Sequence, residues 1–125
     1  MDTEGFAKVR AQYPTLTIAG FEDDDYLRKI ARRTGKPRER SLPPSSDGTQ
    51  ICVEWLLGHD ALDRRQSINH KASSYWWKHV VERKAAQYVS NGEFICAALY
   101  LGYKMEREGP YSLNAFFNIR NVKRS

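Results

Sequence analysis

No apolar run in this chain approaches the roughly 18–20 residues needed to span a bilayer as a helix; the longest, Phe94 to Leu101, has eight. That excludes a helical membrane anchor within these residues. Cysteine is scarce, with only Cys52 and Cys96, 44 positions apart, so no disulfide framework is drawn. Cys96 lies inside the apolar run, where a thiol serves as a small hydrophobe, and a reduced, intracellular chain is expected. The eight glycines are scattered, with no G-x-G and no G-K-[ST], so no phosphate cradle is present. The first ten residues, MDTEGFAKVR, contain no apolar signal core, and the expected location is cytoplasmic.

Metal and nucleophile signatures are also missing. His59, His70 and His79 are spaced by 11 and 9, and neither spacing puts two imidazoles on one helical face. Cys52 with His59 is a poor zinc fragment. Ser73, Ser74 and Cys52 lack a nucleophile-elbow context such as G-x-S-x-G. Asp60 and Asp63, near Glu54, form the one carboxylate group suited to acid–base work or to magnesium. No metal, cofactor or catalytic residue is assigned, and the chain is expected not to be an enzyme. The alternative is a small enzyme with a carboxylate/histidine site.

What is present is a core and an uneven charge. The chain has 125 residues, 41% of them hydrophobic, which suits one domain. Ser90 and Glu93 have capping-box spacing, Phe94 to Leu101 are apolar throughout, and Gly102 closes the segment. Such a helix must be buried on all sides. Before it, Trp77, Val80, Val81, Ala85 and Tyr88 recur at helical spacing behind a Ser73/Ser74 cap. The expected fold is mainly α: a single compact helical domain over 1–125 around a hairpin of helices 73–87 and 90–101. One short extended segment is expected at Leu16–Ile18. Helices are also predicted at Thr3–Ala11, from Asp23–Asp25 to Thr34, and at Thr49–Leu57. Residues 36–48 are predicted to be a mobile basic, proline-rich loop. A short turn of helix is placed at Asp60–Gln66, and connectors at Ser67–Ala72 and Lys104–Pro110. Ser112 to Asn121 is predicted to be a last helix, with a strand as the lesser choice. Trp55, Leu56, Trp77, Val80, Val81, Phe94, Ile95, Ala98, Leu101, Phe116 and Phe117 are the predicted core.

Residues 26–40 carry seven basic groups against one acidic, and residues 64–86 six against one. The flanking stretches 1–25 and 41–63 are net acidic. The run from Arg64 to His79 interleaves cations with hydrogen-bonding side chains and flat rings. Cations gain affinity for a polyanion by releasing counterions, small polar groups fix phosphates, and rings stack on bases. The predicted nucleic-acid contacts are Arg64, Arg65, Lys71 and Lys78. A second set is Arg28, Arg32, Arg33, Lys36, Arg38 and Arg40, and Arg120, Lys123 and Arg124 form a basic end. Trp77 is assigned to the core and Trp76 to its edge. Tyr75, Trp76 and Arg83 are the candidate contacts for a protein partner.

Two resemblances follow from these residues. Ile95, Ala97, Leu101, Gly102, Tyr103, Ser112, Phe116, Phe117 and Arg120 resemble the I-A-x-x-x-G-[FY] … F-x-x-x-F-[KR] order of arabinose-regulator DNA-binding domains. The resemblance implies a helix–turn–helix, although eight residues separate Tyr103 from Ser112 where about three to four form the usual turn. Residues 73–119 resemble segments of small uncharacterised proteins of bacterial phages and plasmids. That resemblance implies a bacterial setting and a role in regulation or counter-defence. The function expected is non-catalytic binding of DNA, RNA or a host nucleoprotein complex. The alternative is an inhibitor that docks on a bacterial defence system of CRISPR or restriction type. The sequence leaves the oligomeric state open.

Overall fold

A computed structural model describes residues 1–58 and 64–120. Helix α1 (Thr3–Gln12) is capped by Asp2, whose carboxylate accepts from the Gly5 amide at 2.8 Å. Two short strands, β1 (Leu16–Thr17) and β2 (Gly20–Phe21), form an antiparallel ribbon. Helix α2 (Asp24–Thr34) opens on carboxylates and ends at Gly35 in the left-handed region, as expected. Helix α3 (Ser46–Leu57) starts three residues before the predicted Thr49, because Ser45 caps it through the Gly48 amide. Strand β3 (Arg64–Ser73) runs directly into α4 (Ser74–Ala85), and α5 (Asn91–Tyr100) follows. Strands β4 (Met105–Arg107) and β5 (Ala115–Ile119) complete an antiparallel sheet in the order β3-β5-β4.

The expected mainly helical, all-α class is therefore overturned: the fold is mixed, with five helices and two antiparallel sheets among the described residues. Three predicted segments change type. Ser67–Ala72 is strand, and so is Arg64–Gln66, which had been placed in a helical turn. Met105–Arg107 is strand within the predicted connector. Ser112–Asn121 was predicted helical, yet its described part holds β5 and no helix. The physical reason lies in Ala115, Phe117 and Ile119, all fully buried on one face at period two. With β5 a strand, no recognition helix follows α5 among the described residues, and the helix–turn–helix resemblance fails.

The post at α5 is buried as predicted through Ala98, while Leu99, Tyr100 and Leu101 are half-buried. Ser90 and Glu93 make both halves of the capping box, and Phe94 through Ala98 are fully buried. Helices α1, α3 and α4, together with the β1–β2 ribbon, pack on α5. Phe94 meets Phe117 of the sheet edge-on, with ring centroids 6.2 Å apart. Of the predicted core, Leu56, Trp77, Val80, Val81, Phe94, Ile95, Ala98 and Phe117 are buried. Trp55 and Leu101 are half-buried against that core, and half-buried Phe116 belongs to the opposite face of the sheet. Cys52 and Cys96 are free thiols in the interior. Burial pushes Cys52 far above the ordinary thiol range, so it is protonated and inert as a nucleophile.

The segment between α2 and α3 is tied to the residues that flank β2, Ile18 and Glu22. The Leu42 carbonyl accepts from the Ile18 amide at 2.9 Å. The Ser41 amide donates to the Glu22 carboxylate at 2.8 Å, and Arg40 Nε donates to the Glu22 carbonyl at 2.9 Å.

Candidate functional site

The predicted cations divide into those the fold uses and those it leaves open. Arg64 is used. Its guanidinium donates to the carbonyls of Leu101 and Gly102 at the end of α5 and lies 4.6 Å from the Tyr103 ring centroid. A cation there offsets the negative end of the helix dipole. Lys78 is also used, being only 7% exposed. Its Nζ donates to Glu82 Oε1 at 2.9 Å and lies between the rings of Tyr75 and Tyr88, 5.3 and 5.0 Å from their centroids. This i,i+4 pair sits in a part-buried setting rather than on an open outer face. Burial pushes the Glu82 carboxyl up, while Lys78 and His79 outweigh it and hold the group below the ordinary range.

The second set is half neutralised. Arg28 pairs with Asp25, Arg40 with Asp24 at 2.7 Å, and Arg38 Nε lies 3.5 Å from the buried Glu22 carboxylate. The acidic run Glu22–Asp25 leading into α2 thus answers basic residues within and after that helix. Arg32, Arg33 and Lys36 are exposed and meet no carboxylate among the described residues. Tyr75, Trp76 and Arg83 are exposed on α4, with Trp76 at 45% and its neighbour Trp77 at zero, as assigned. Lys123 and Arg124 lie outside the described residues, as do His59, Asp60 and Asp63 of the enzymatic alternative. Among the described residues, no three His, Cys, Asp or Glu side chains gather into a metal-binding group.

Arg65, Lys104 and Arg120 come together on the three-stranded sheet. Alternation along β5 puts Phe116 and Asn118 on the face opposite Phe117, and Arg120 continues that series. Asn118 organises the face: its Nδ2 donates to the Arg65 carbonyl at 2.8 Å and its Oδ1 accepts from the Lys104 amide at 2.8 Å. Arg65, Gln66, Ser67 and Arg120 line one open depression of about 470 Å³. Arg65 touches the Ser67 hydroxyl at 3.4 Å, and neither arginine meets a carboxylate among the described residues. Lys104 reaches the Gln66 carbonyl at 3.4 Å. Farther along β3, the His70 ring stands edge-on to Phe116 at 5.3 Å, and its Nε2 lies 3.1 Å from Glu106 of β4. Exposed Lys71 follows on the same strand.

Sequence reasoning named Arg65, Lys71 and Arg120 as candidates but passed over Lys104, read as part of a connector. It treated Phe116 as core, and placed His70 in the basic and aromatic run from Arg64 to His79 without naming it as a contact. The alternation of Ala115, Phe117 and Ile119 is the signal that would have turned Phe116 outward. Compared with protein-family models, curated proteins and solved structures, the chain matches none.

Proposed function

We propose that this chain is a non-catalytic nucleic-acid-binding protein that holds a polynucleotide strand along the outer face of its three-stranded sheet. The observation that carries the proposal is the open depression flanked by Arg65 and Arg120, two guanidiniums that meet no carboxylate among the described residues. Gln66 and Ser67 between them add neutral hydrogen-bonding groups suited to phosphate oxygens. The His70–Phe116 ring pair on the same face suits stacking by an unpaired base. At about 3.3 Å per residue, the ten residues of β3 give a track roughly 33 Å long, enough for several nucleotides. Exposed Lys71 extends the positive edge.

The test is fluorescence anisotropy with labelled single-stranded and duplex oligonucleotides across a salt series. Single strands should bind more tightly than duplex. The Arg65→Ala, Arg120→Ala double variant should bind more weakly, with its salt slope reduced by about 1.4 for two lost phosphate contacts. Binding that ignores both salt and the double variant would overturn the proposal.

A second reading draws on α4, where Tyr75 and Trp76 are 52% and 45% exposed beside Arg83. Aromatic and arginine side chains together favour docking on a protein, such as a bacterial defence complex. Retention of a defined complex after nuclease treatment, lost with Trp76→Ala, would favour this reading. A bacterial phage or plasmid origin and a cytoplasmic location rest on the resemblance of residues 73–119 and on composition, and remain part of the proposal. No helix of the described residues is long and apolar enough to cross a membrane.

A further inference from the structure

A second concavity lies away from the three-stranded sheet. It runs along α1 and holds about 670 Å³, within the roughly 300–1,000 Å³ of small-molecule sites. Thr3, Phe6, Ala7, Arg10 and Ala11 follow the i, i+3, i+4, i+7, i+8 spacing of one helical face, and all five line it. Leu16 and Pro43 contribute apolar surface from β1 and the segment before α3. The depth has a sequence cause: Ala7 and Ala11 are both exposed and too small to fill the space beside Phe6.

Arg10 is the one side-chain cation among the lining residues, and no carboxylate side chain lines the groove. Its guanidinium lies 5.6 Å from the Phe6 ring centroid and meets no acid among the described residues. Its field also reaches the interior. Burial pushes the Cys96 thiol up to about 11, and Arg10 is among the groups that oppose the rise. One unpaired guanidinium beside an apolar groove calls for one planar anion on an apolar body. A guanidinium matches a carboxylate as a two-pronged donor, whereas a polyphosphate would need more cations than this groove offers.

We propose that the groove between α1 and Pro43 binds an apolar monocarboxylate of the medium-chain fatty acid class, with the carboxylate on Arg10 and the tail against Phe6, Ala7, Ala11 and Leu16. The test is calorimetric titration of the full chain with decanoate and decanol, both below their aggregation limits. Decanoate should bind one per chain and more tightly than decanol. Arg10→Gln should weaken decanoate by about tenfold or more and leave decanol unchanged. Ala11→Phe should abolish both by filling the groove while circular dichroism and melting stay as in the parent. If that variant does not fold, the smaller Ala7→Leu takes its place. Failure of decanoate to bind, equal affinity for decanol, or indifference to the filling variant would overturn the proposal.

Discussion

The carboxylate of Glu93 accepts from the Ser45 hydroxyl, 48 positions earlier in the chain. Its other oxygen accepts from the Ser90 amide at 2.8 Å, so one side chain serves the starts of both α3 and α5. Gly48 makes this approach feasible, since a Cβ there would collide with the Glu93 carboxylate. Glu93→Ala should lower stability by roughly 2–4 kcal/mol, through the lost capping box and a stranded hydroxyl. Gly48→Ala should cost about 1–3 kcal/mol by overpacking. In the Glu93→Ala background the same change should be neutral or mildly stabilising, because alanine then acts only as the better helix former. Urea denaturation of the four proteins checks this; additive losses would show that the two residues are not coupled.

Gly92 sits at a tighter joint. A Cβ there would meet the Thr17 carbonyl oxygen, which is backbone and cannot rotate away. The ribbon is also held in place, as the Gly92 amide donates to the Ile18 carbonyl and Asn91 Nδ2 to the Ala19 carbonyl, each at 3.0 Å. Gly92→Ala should therefore cost about 3 kcal/mol or more. A melting temperature within a few degrees of the parent would show that the β1–β2 ribbon yields to α5 more readily than these bonds imply.

Lys78 separates the charge pattern of the sequence from the charge pattern of the fold. Its ammonium is enclosed by Glu82, Tyr75 and Tyr88. Lys78→Ala should destabilise by about 1–3 kcal/mol, leaving Glu82 without its closest cation. Oligonucleotide affinity, measured where the variant is fully folded, should stay unchanged, whereas Arg120→Ala should have the opposite profile. A binding loss at Lys78 equal to that at Arg120 would move the interface from the sheet to α4.

These contrasts show what the sequence could and could not reveal. α5 was legible because its cap, apolar body and stop are contiguous, yet the Ser45 hydroxyl on Glu93 comes from a distant segment. β3 was illegible for a different reason. RRQSINHKAS lies at a sheet edge, buries only Asn69 and Ala72, and pairs with β5 through two register shifts, so no alternation survives. In and just before β5, Leu113, Phe116, Phe117 and Ile119 imitate a helical stripe, although Phe116 and Phe117 belong to opposite faces. The basic stretches were visible at once. Their division into paired Arg28, Arg38 and Arg40 and open Arg32, Arg33 and Lys36 required the third dimension.

Glu22 supplies the acid response. Its side chain is fully buried and accepts from Thr17 Oγ1 at 2.6 Å and the Ser41 amide at 2.8 Å, with Arg38 nearby. Burial alone would raise its pKa; the hydroxyl, the amide and the guanidinium outweigh burial and hold it below the ordinary value of 4.5. A carboxyl depressed in the fold contributes stability above its unfolded pKa and loses it as pH falls through the folded value. Glu22→Gln should therefore be less stable than the parent at neutral pH, and the gap should narrow toward about pH 3. Because Ser41 and Arg40 attach to the same residue, proteolysis between Gly35 and Leu42 should accelerate in the variant at neutral pH. A stability gap that stays constant from neutral pH to about pH 3 would mean that the carboxyl titrates alike in the folded and unfolded chains.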